Sequence, residues 1–251
     1  MKKDKFIFKV FNPLFWGISL AYVAVFVLLS VYSRKLPLSA RQWILSISCI
    51  ITIVTFFIYK YNLSIDKEYE ELYYLDKGGF SWWYELPLHL CNINMFTCLF
   101  GAITLNPIIM GFAFFVGPLG ALLAILMPEA SFNGYSIFLW RMFGYFFTHY
   151  QIVFNCLLLC GMGLYFPEYS QLWKIFLMLV CLSFAIYLLN CYLRKKNIAP
   201  FANYFYTVYP DTNPLLELFR KWIPHEYLYL IPAFVCLLIY MYVFTFVMHL
   251  F

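Results

Sequence analysis

Seven stretches of this chain stay apolar for about twenty residues each, long enough to cross the roughly 30 Å hydrocarbon layer of a bilayer. They fall at 14–33, 43–59, 85–105, 107–127, 137–165, 172–193 and 227–250 of the 251 residues. In lipid every backbone N–H and C=O must be satisfied within its own segment, so runs of this kind predict helices. The expected fold is all-α: one transmembrane domain over residues 1–251, a polytopic bundle of about seven helices. Composition agrees. Charged residues make up 12% of the chain, half of what a soluble domain carries. The 23% aromatic content fits lipid-facing bulk and interfacial belts.

The net charge of +5 bears on orientation. Of the 17 Lys and Arg, 13 fall in the tail before the first span and in the connections between spans 2–3, 4–5 and 6–7, counting Arg141 at the head of the fifth span with the 4–5 connection. The positive-inside bias then places the amino terminus in the cytoplasm and the carboxyl terminus outside. Residues 1–11 resemble a signal-peptide start, but the run behind them is too long for a typical leader and lacks a small-x-small cleavage site; it is read as a retained first span. No basic cluster is interleaved with aromatics outside the apolar runs, which speaks against a nucleic-acid partner. The eight cysteines (49, 91, 98, 156, 160, 181, 191, 236) sit in apolar segments without a CxxC pair, which is neither a disulfide framework nor a zinc-finger spacing. Nothing in the sequence signals a metal or organic cofactor.

Two connections are long. Residues 61–84 carry Asp66, Glu68, Glu70, Glu71 and Asp76 against Lys67 and Lys77; a solvated juxtamembrane helix is favoured over a metal site. Residues 194–226 contain NYFY at 203–206 and YPDTNP at 209–214, suited to an interfacial or re-entrant segment followed by a short amphipathic helix over 215–222.

Polar side chains inside the spans are costly in hydrocarbon and need partners or a function. On a helix beginning at Glu85, the side chains of Glu85, His89, Asn92 and Phe96 share one face, with Cys91, Asn94 and Cys98 roughly opposite. Arg141, Tyr145, Thr148, His149, Asn155 and Cys156 share a broad face of the fifth span, which is long enough to tilt or to break near Gly144. Ser183, Tyr187, Asn190 and Arg194 do the same in the sixth. Three one-sided stripes imply a common interior in the inner half of the membrane, where Glu85, His89, His149 and Asn190 meet, capped by Asn203 and Tyr204. Asn155, Ser183, Thr148 and most cysteines read better as interhelical glue. Arg141 reads as a lipid-phosphate ligand or as a head-group anchor.

ELPLHLCNIN at 85–94, FFTHYQIVFN at 146–155, and NYFY followed by PLLELFRKWIPHEYLYL at 214–230 resemble, in order, the signatures of bacterial YwaF-like membrane proteins. That family is similar to the animal transmembrane protein 164 group and, more distantly, to androgen-induced-gene-type lipid hydrolases. The resemblance implies a multi-pass protein of the bacterial plasma membrane that moves acyl chains between phospholipids or lysophospholipids. It marks His89, His149 and Asn203, with Cys91 as the nearest thiol. Acyl transfer needs a nucleophile or an activated acceptor hydroxyl, a base and oxyanion donors. The candidates are His149 as base, or His89 oriented by Glu85; Cys91 as nucleophile, or direct attack by the acceptor; and Asn92, Asn190 or Asn203 as oxyanion donors, with Arg141, Tyr145 and Tyr204 lining the substrate. The alternatives are a transporter or channel using the same polar path, or a non-catalytic scaffold.

Overall fold

The computed structural model describes residues 6–74, 79–211 and 213–250; Lys2, Lys3, Lys5, Asp76 and Lys77, which entered the readings above, lie outside the described residues. In chain order the elements are β1 (Ile7–Phe8), α1 (Pro13–Ser33), α2 (Leu38–Leu63), α3 (Lys67–Tyr69), α4 (Leu90–Thr104), α5 (Pro107–Leu126), β2 (Tyr135–Ser136), α6 (Trp140–Gly161), α7 (Tyr169–Lys195), α8 (Pro214–Trp222) and α9 (Ile231–Met248). Among the described residues six helical segments are long and apolar enough to cross a membrane: α1, α2, α5, α6, α7 and Leu228–Met248. The seventh, α4, has only 15 residues. The all-α polytopic bundle expected from the sequence is what the chain builds.

The chain divides into two compact units. One comprises Met1–Phe80 with Leu90–Phe166, the other Ser81–His89 with Pro167–Phe251. Three helices begin at an Asn-Pro pair. Asn12 Oδ1 accepts from Phe15 N, Asn106 Oδ1 from Ile108 and Ile109 N, and Asn213 Oδ1 from Leu215 and Leu216 N. The amide caps orphan donors of the first turn while the proline, which has no N–H to lose there, presets φ.

The third span departs from its expected start. Helix begins at Leu90, not Glu85, because Pro87 has no amide hydrogen and forces Leu86 out of the helical region. Instead, Trp82–Tyr84 form a 3₁₀ turn and Leu88 N donates to Leu86 O at 2.7 Å. Glu85 and His89 therefore share no helical face with Asn92. Of the tilt or break that the length of the fifth span allowed, a break near Gly144 is absent. α6 runs without interruption, and Gly144 is instead where it meets α2: a Cβ there would run into the Tyr59 ring. Gly117 of α5 is equally confined, with Cys156 Sγ 2.5 Å from where its Cβ would stand. Small residues let the backbones approach, as in other membrane bundles.

Hydrogen bonds in the first unit sort its connections into two ends. At one end β1 pairs antiparallel with β2, Val10 N donates to Asn133 Oδ1, and Arg141 of α6 pairs with Asp66 behind α2. At the other end Arg34 donates to Gly161 O, Arg41 to Met162 O, and Gln42 to Ala102 O. The helices of the first unit thus alternate between its two ends. Between them Asn155 links the helices as glue: it accepts from Ser48 Oγ at 2.6 Å and donates to Thr52 Oγ1 at 3.1 Å.

In the second unit the polar stripe of α7 is occupied by residues that follow it. The Ser183 hydroxyl bonds Tyr227 Oη, Tyr187 donates to Glu226, Asn190 holds Tyr204 and Thr207, and Arg194 donates to Ala202 O. α8 buries Leu216 and Phe219 against Tyr229 and Leu230, and turns Leu215, Leu218 and Trp222 outward.

Candidate functional site

The residues singled out in the sequence fall into two groups, one in each unit. Cys91, Asn92, Arg141, Tyr145 and His149 belong to the first; Glu85, His89, Asn190, Asn203 and Tyr204 belong to the second.

In the first unit His149 sits in the third turn of α6 with 7% of its surface open. Its Nδ1 lies 2.7 Å from the carbonyl of Tyr145, one turn earlier. A carbonyl can only accept, so Nδ1 carries the proton and Nε2 is the nitrogen left to take or give one. The Tyr145 ring lies 4.4 Å from the imidazole, its hydroxyl donates to Ala124 O of α5, and its face stacks on Phe132 at 4.3 Å. Phe132 in turn meets Tyr59 edge-on. These contacts fix the histidine from the backbone of its own helix and from the rings behind it.

Cys91 is the second residue of α4. Its thiol donates weakly to Asn92 Oδ1 at 3.6 Å, and a Cβ added at Gly120 of α5 would just reach van der Waals contact with its backbone. The same unit holds a lysine that in the sequence counts only toward orientation. Lys60, in the last turn of α2, holds its ammonium 4.7 Å over the Tyr59 ring and 5.4 Å from the centre of Phe56, and donates to Tyr59 Oη at 3.4 Å. The signal available in the sequence was its position: a lysine closing an apolar run, with aromatics at 56, 57, 59 and 61.

Arg141 is 1% exposed and is held by three groups. Asp66 lies 3.1 Å away, Glu68 3.0 Å, and the Tyr135 ring 4.6 Å. Part of the acidic patch is thereby explained: Asp66 and Glu68 close the end of α6, and Asp66 also caps Tyr69 N.

The second unit gathers its group around the NYFY loop. The His89 ring lies 5.3 Å from Tyr204 and 5.7 Å from Tyr206. Tyr204 Oη donates to Trp83 O at 2.6 Å and accepts from Leu86 N, which ties the segment carrying buried Glu85 and His89 to the loop. Two asparagines shape that loop. Asn190 accepts from Tyr204 N and donates to Tyr204 O and Thr207 Oγ1, which uses both of its amide hydrogens. Asn203 accepts from Val208 and Tyr209 N and donates to Tyr209 O. Between them Phe205 and Tyr206 are left-handed, with φ of 61° and 53°, a conformation that persists only where surrounding bonds enforce it. The Tyr229 hydroxyl donates to Tyr206 O, and Arg220 Nη1 to Val208 O at 2.6 Å. Burial lifts the Tyr209 phenol above its ordinary pKa, Asp211 adds to the effect, and Arg194 over the ring opposes it.

Residues 8–245 match the TMEM164 family, nearly the whole chain. The chain belongs to the TMEM164 family. No curated protein sequence and no solved structure matches it. Membership covers α1 through most of α9, so both polar groups lie inside the matched span of this TMEM164 chain.

Proposed function

We propose that this TMEM164-family chain is a phospholipid acyltransferase whose general base is His149, acting from the membrane half that bears the amino terminus. The observation that carries the reading is the Nδ1 bond to Tyr145 O. It presets one tautomer and leaves Nε2 as the proton-handling atom, the arrangement a base needs before it can activate a thiol or hydroxyl.

Cys91 is the nucleophile in this reading. Its thiol gives its proton to His149 Nε2 and the sulfur attacks the ester carbonyl of a donor phospholipid. The tetrahedral intermediate collapses, the C–O bond breaks, and the departing lysophospholipid oxygen takes the proton back from Nε2. The acceptor lysophospholipid hydroxyl then loses its proton to Nε2 and attacks the thioester; the C–S bond breaks and the thiol is restored. One ester is exchanged for another, so neither water nor an external reductant is consumed. If Cys91 is dispensable, the same base activates the acceptor for direct transfer. Within the second unit, Asn190 and Asn203 act by positioning the loop that carries the tyrosines around His89, since their amides are engaged with backbone.

The test is reconstitution of the full chain with a donor phospholipid and a lysophospholipid carrying distinguishable acyl chains. Exchange is expected with the native chain and absent in His149→Ala, with Cys91→Ala deciding between the thioester and direct routes. Solute flux without acyl exchange, lost in the same variant, would establish a transport path instead.

A further inference from the structure

We infer that Lys60 is the phosphate-binding residue of the His149 site, taking the phosphate of the lipid whose ester lies beside the imidazole. The lipid character of the ligand rests on the acyltransferase reading; the anion site itself rests on geometry. α2 and α6 run antiparallel, and their register is set by Tyr59 against Gly144 and by Asn155 between Ser48 and Thr52. Lys60 follows Tyr59, so its level on α6 is that of Gly144. His149 is five residues further along α6, about 7.5 Å deeper at 1.5 Å per residue. In a glycerophospholipid the ester carbonyls lie a few bonds deeper than the phosphate, the same order and direction as Lys60 and His149.

The lysine is held for such a role. Cation–π contact with Tyr59 and Phe56 and the bond to Tyr59 Oη keep a half-buried ammonium against the α2–α6 seam, where desolvation strengthens its attraction for an anion. A continuous chain of rings connects it to the base: Tyr59 meets Phe132, Phe132 stacks on Tyr145, and Tyr145 touches His149. Arg141, the cation the sequence offered for this task, is 1% exposed and so is closed to an arriving head group. The compact, mobile donor set of an ammonium suits a phosphate that must arrive and leave with each lipid.

The experiment compares binding of a lysophosphatidylcholine with that of a monoacylglycerol of the same chain, which lacks the phosphate, to the full chain in neutral detergent. Native protein is expected to prefer the phosphate-bearing lipid by about tenfold or more, the worth of one charge-assisted contact. Lys60→Gln should erase the preference, Lys60→Arg should keep most of it, and Lys67→Gln, on the short α3 turn, should leave it intact. Thermal midpoints of all variants report folding. Retention of the preference by folded Lys60→Gln, or its absence in the native protein, overturns the assignment. A native preference that inorganic phosphate abolishes at concentrations equal to the lipid's overturns the lipid ligand. If Lys60→Gln loses the preference while the native chain shows no acyl exchange, the anion site stands and the acyltransferase reading falls.

Discussion

The α2–α6 seam and the NYFY loop both carry buried polar groups, but they are built by opposite means. Along the seam, helix meets helix through glycine and ring, as Gly144 against Tyr59, and the polar bonds run from side chain to side chain, as Ser48–Asn155–Thr52. In the loop, polar side chains bond backbone: Asn190 and Asn203 imitate the partners a helix or strand would have supplied to residues 204–209. The first is a packing solution, intolerant of added volume. The second is a hydrogen-bond solution, intolerant of lost amides. Five substitutions put that contrast at risk.

Gly144→Ala should have the largest effect. Its new methyl meets a buried ring backed by Phe132, so the helices must part; overpacking of this kind costs about 3 kcal/mol or more. The measurement is the thermal midpoint and folded yield in detergent. A midpoint equal to that of the native chain would mean that the seam yields and that packing does not define it.

Arg141→Ala comes next. Breaking a buried ion pair costs about 3–5 kcal/mol, but Asp66 and Glu68 keep 26% and 57% of their side-chain surface exposed, and screening of that kind weakens a pair. About 2–3 kcal/mol is therefore expected by chemical denaturation, with Glu68→Gln costing well under 1 kcal/mol. Comparable losses from the two variants would mean that charge, not the burial of Arg141, holds the end of α6.

What could be read in advance follows the same division. Spans α1, α2, α5, α6 and α7 were visible because lipid demands unbroken helices and apolar runs announce them. The inward face of α6 was visible because Arg141, Thr148, His149 and Asn155 repeat at helical spacing, and all four are buried. The start of α4 was misplaced because periodicity was extended through Pro87, where one missing N–H ends it. The roles of Asn190 and Asn203 were out of reach for another reason. An asparagine bonding backbone in an irregular loop has no period, so the spacing that put Asn190 on a stripe with Ser183 said nothing of Tyr204. The role proposed for Lys60 was hidden by its ordinary context, since a lysine at the end of a span usually does no more than anchor it. The three Asn-Pro helix starts were in plain view as short motifs and needed only capping chemistry to interpret.

Asn190→Ala tests the loop side of the contrast. It removes three bonds to Tyr204 and Thr207 and strands buried backbone groups, each costing about 1–3 kcal/mol unless water reaches them. Hydrogen exchange should rise at residues 203–208, while the global midpoint falls by less than in Gly144→Ala. Unchanged protection there would show that the left-handed turn at Phe205 and Tyr206 holds without the amide.

Gly17→Ala should have the smallest effect and the opposite sign. Gly17 lies in the first turns of α1, and a Cβ added there finds nothing within 4 Å. With no neighbour to displace, only the helix preference remains, and alanine is favoured over glycine by about 0.5–1 kcal/mol because glycine loses more backbone freedom on folding. Gly17 and Gly144 thus carry the same substitution on two helices and differ only in what faces them. A small rise in midpoint at 17 beside a large fall at 144 assigns the latter to contact with Tyr59. A fall of similar size at both would assign it to alanine in the helix itself, and the seam would lose its claim to be a packing solution.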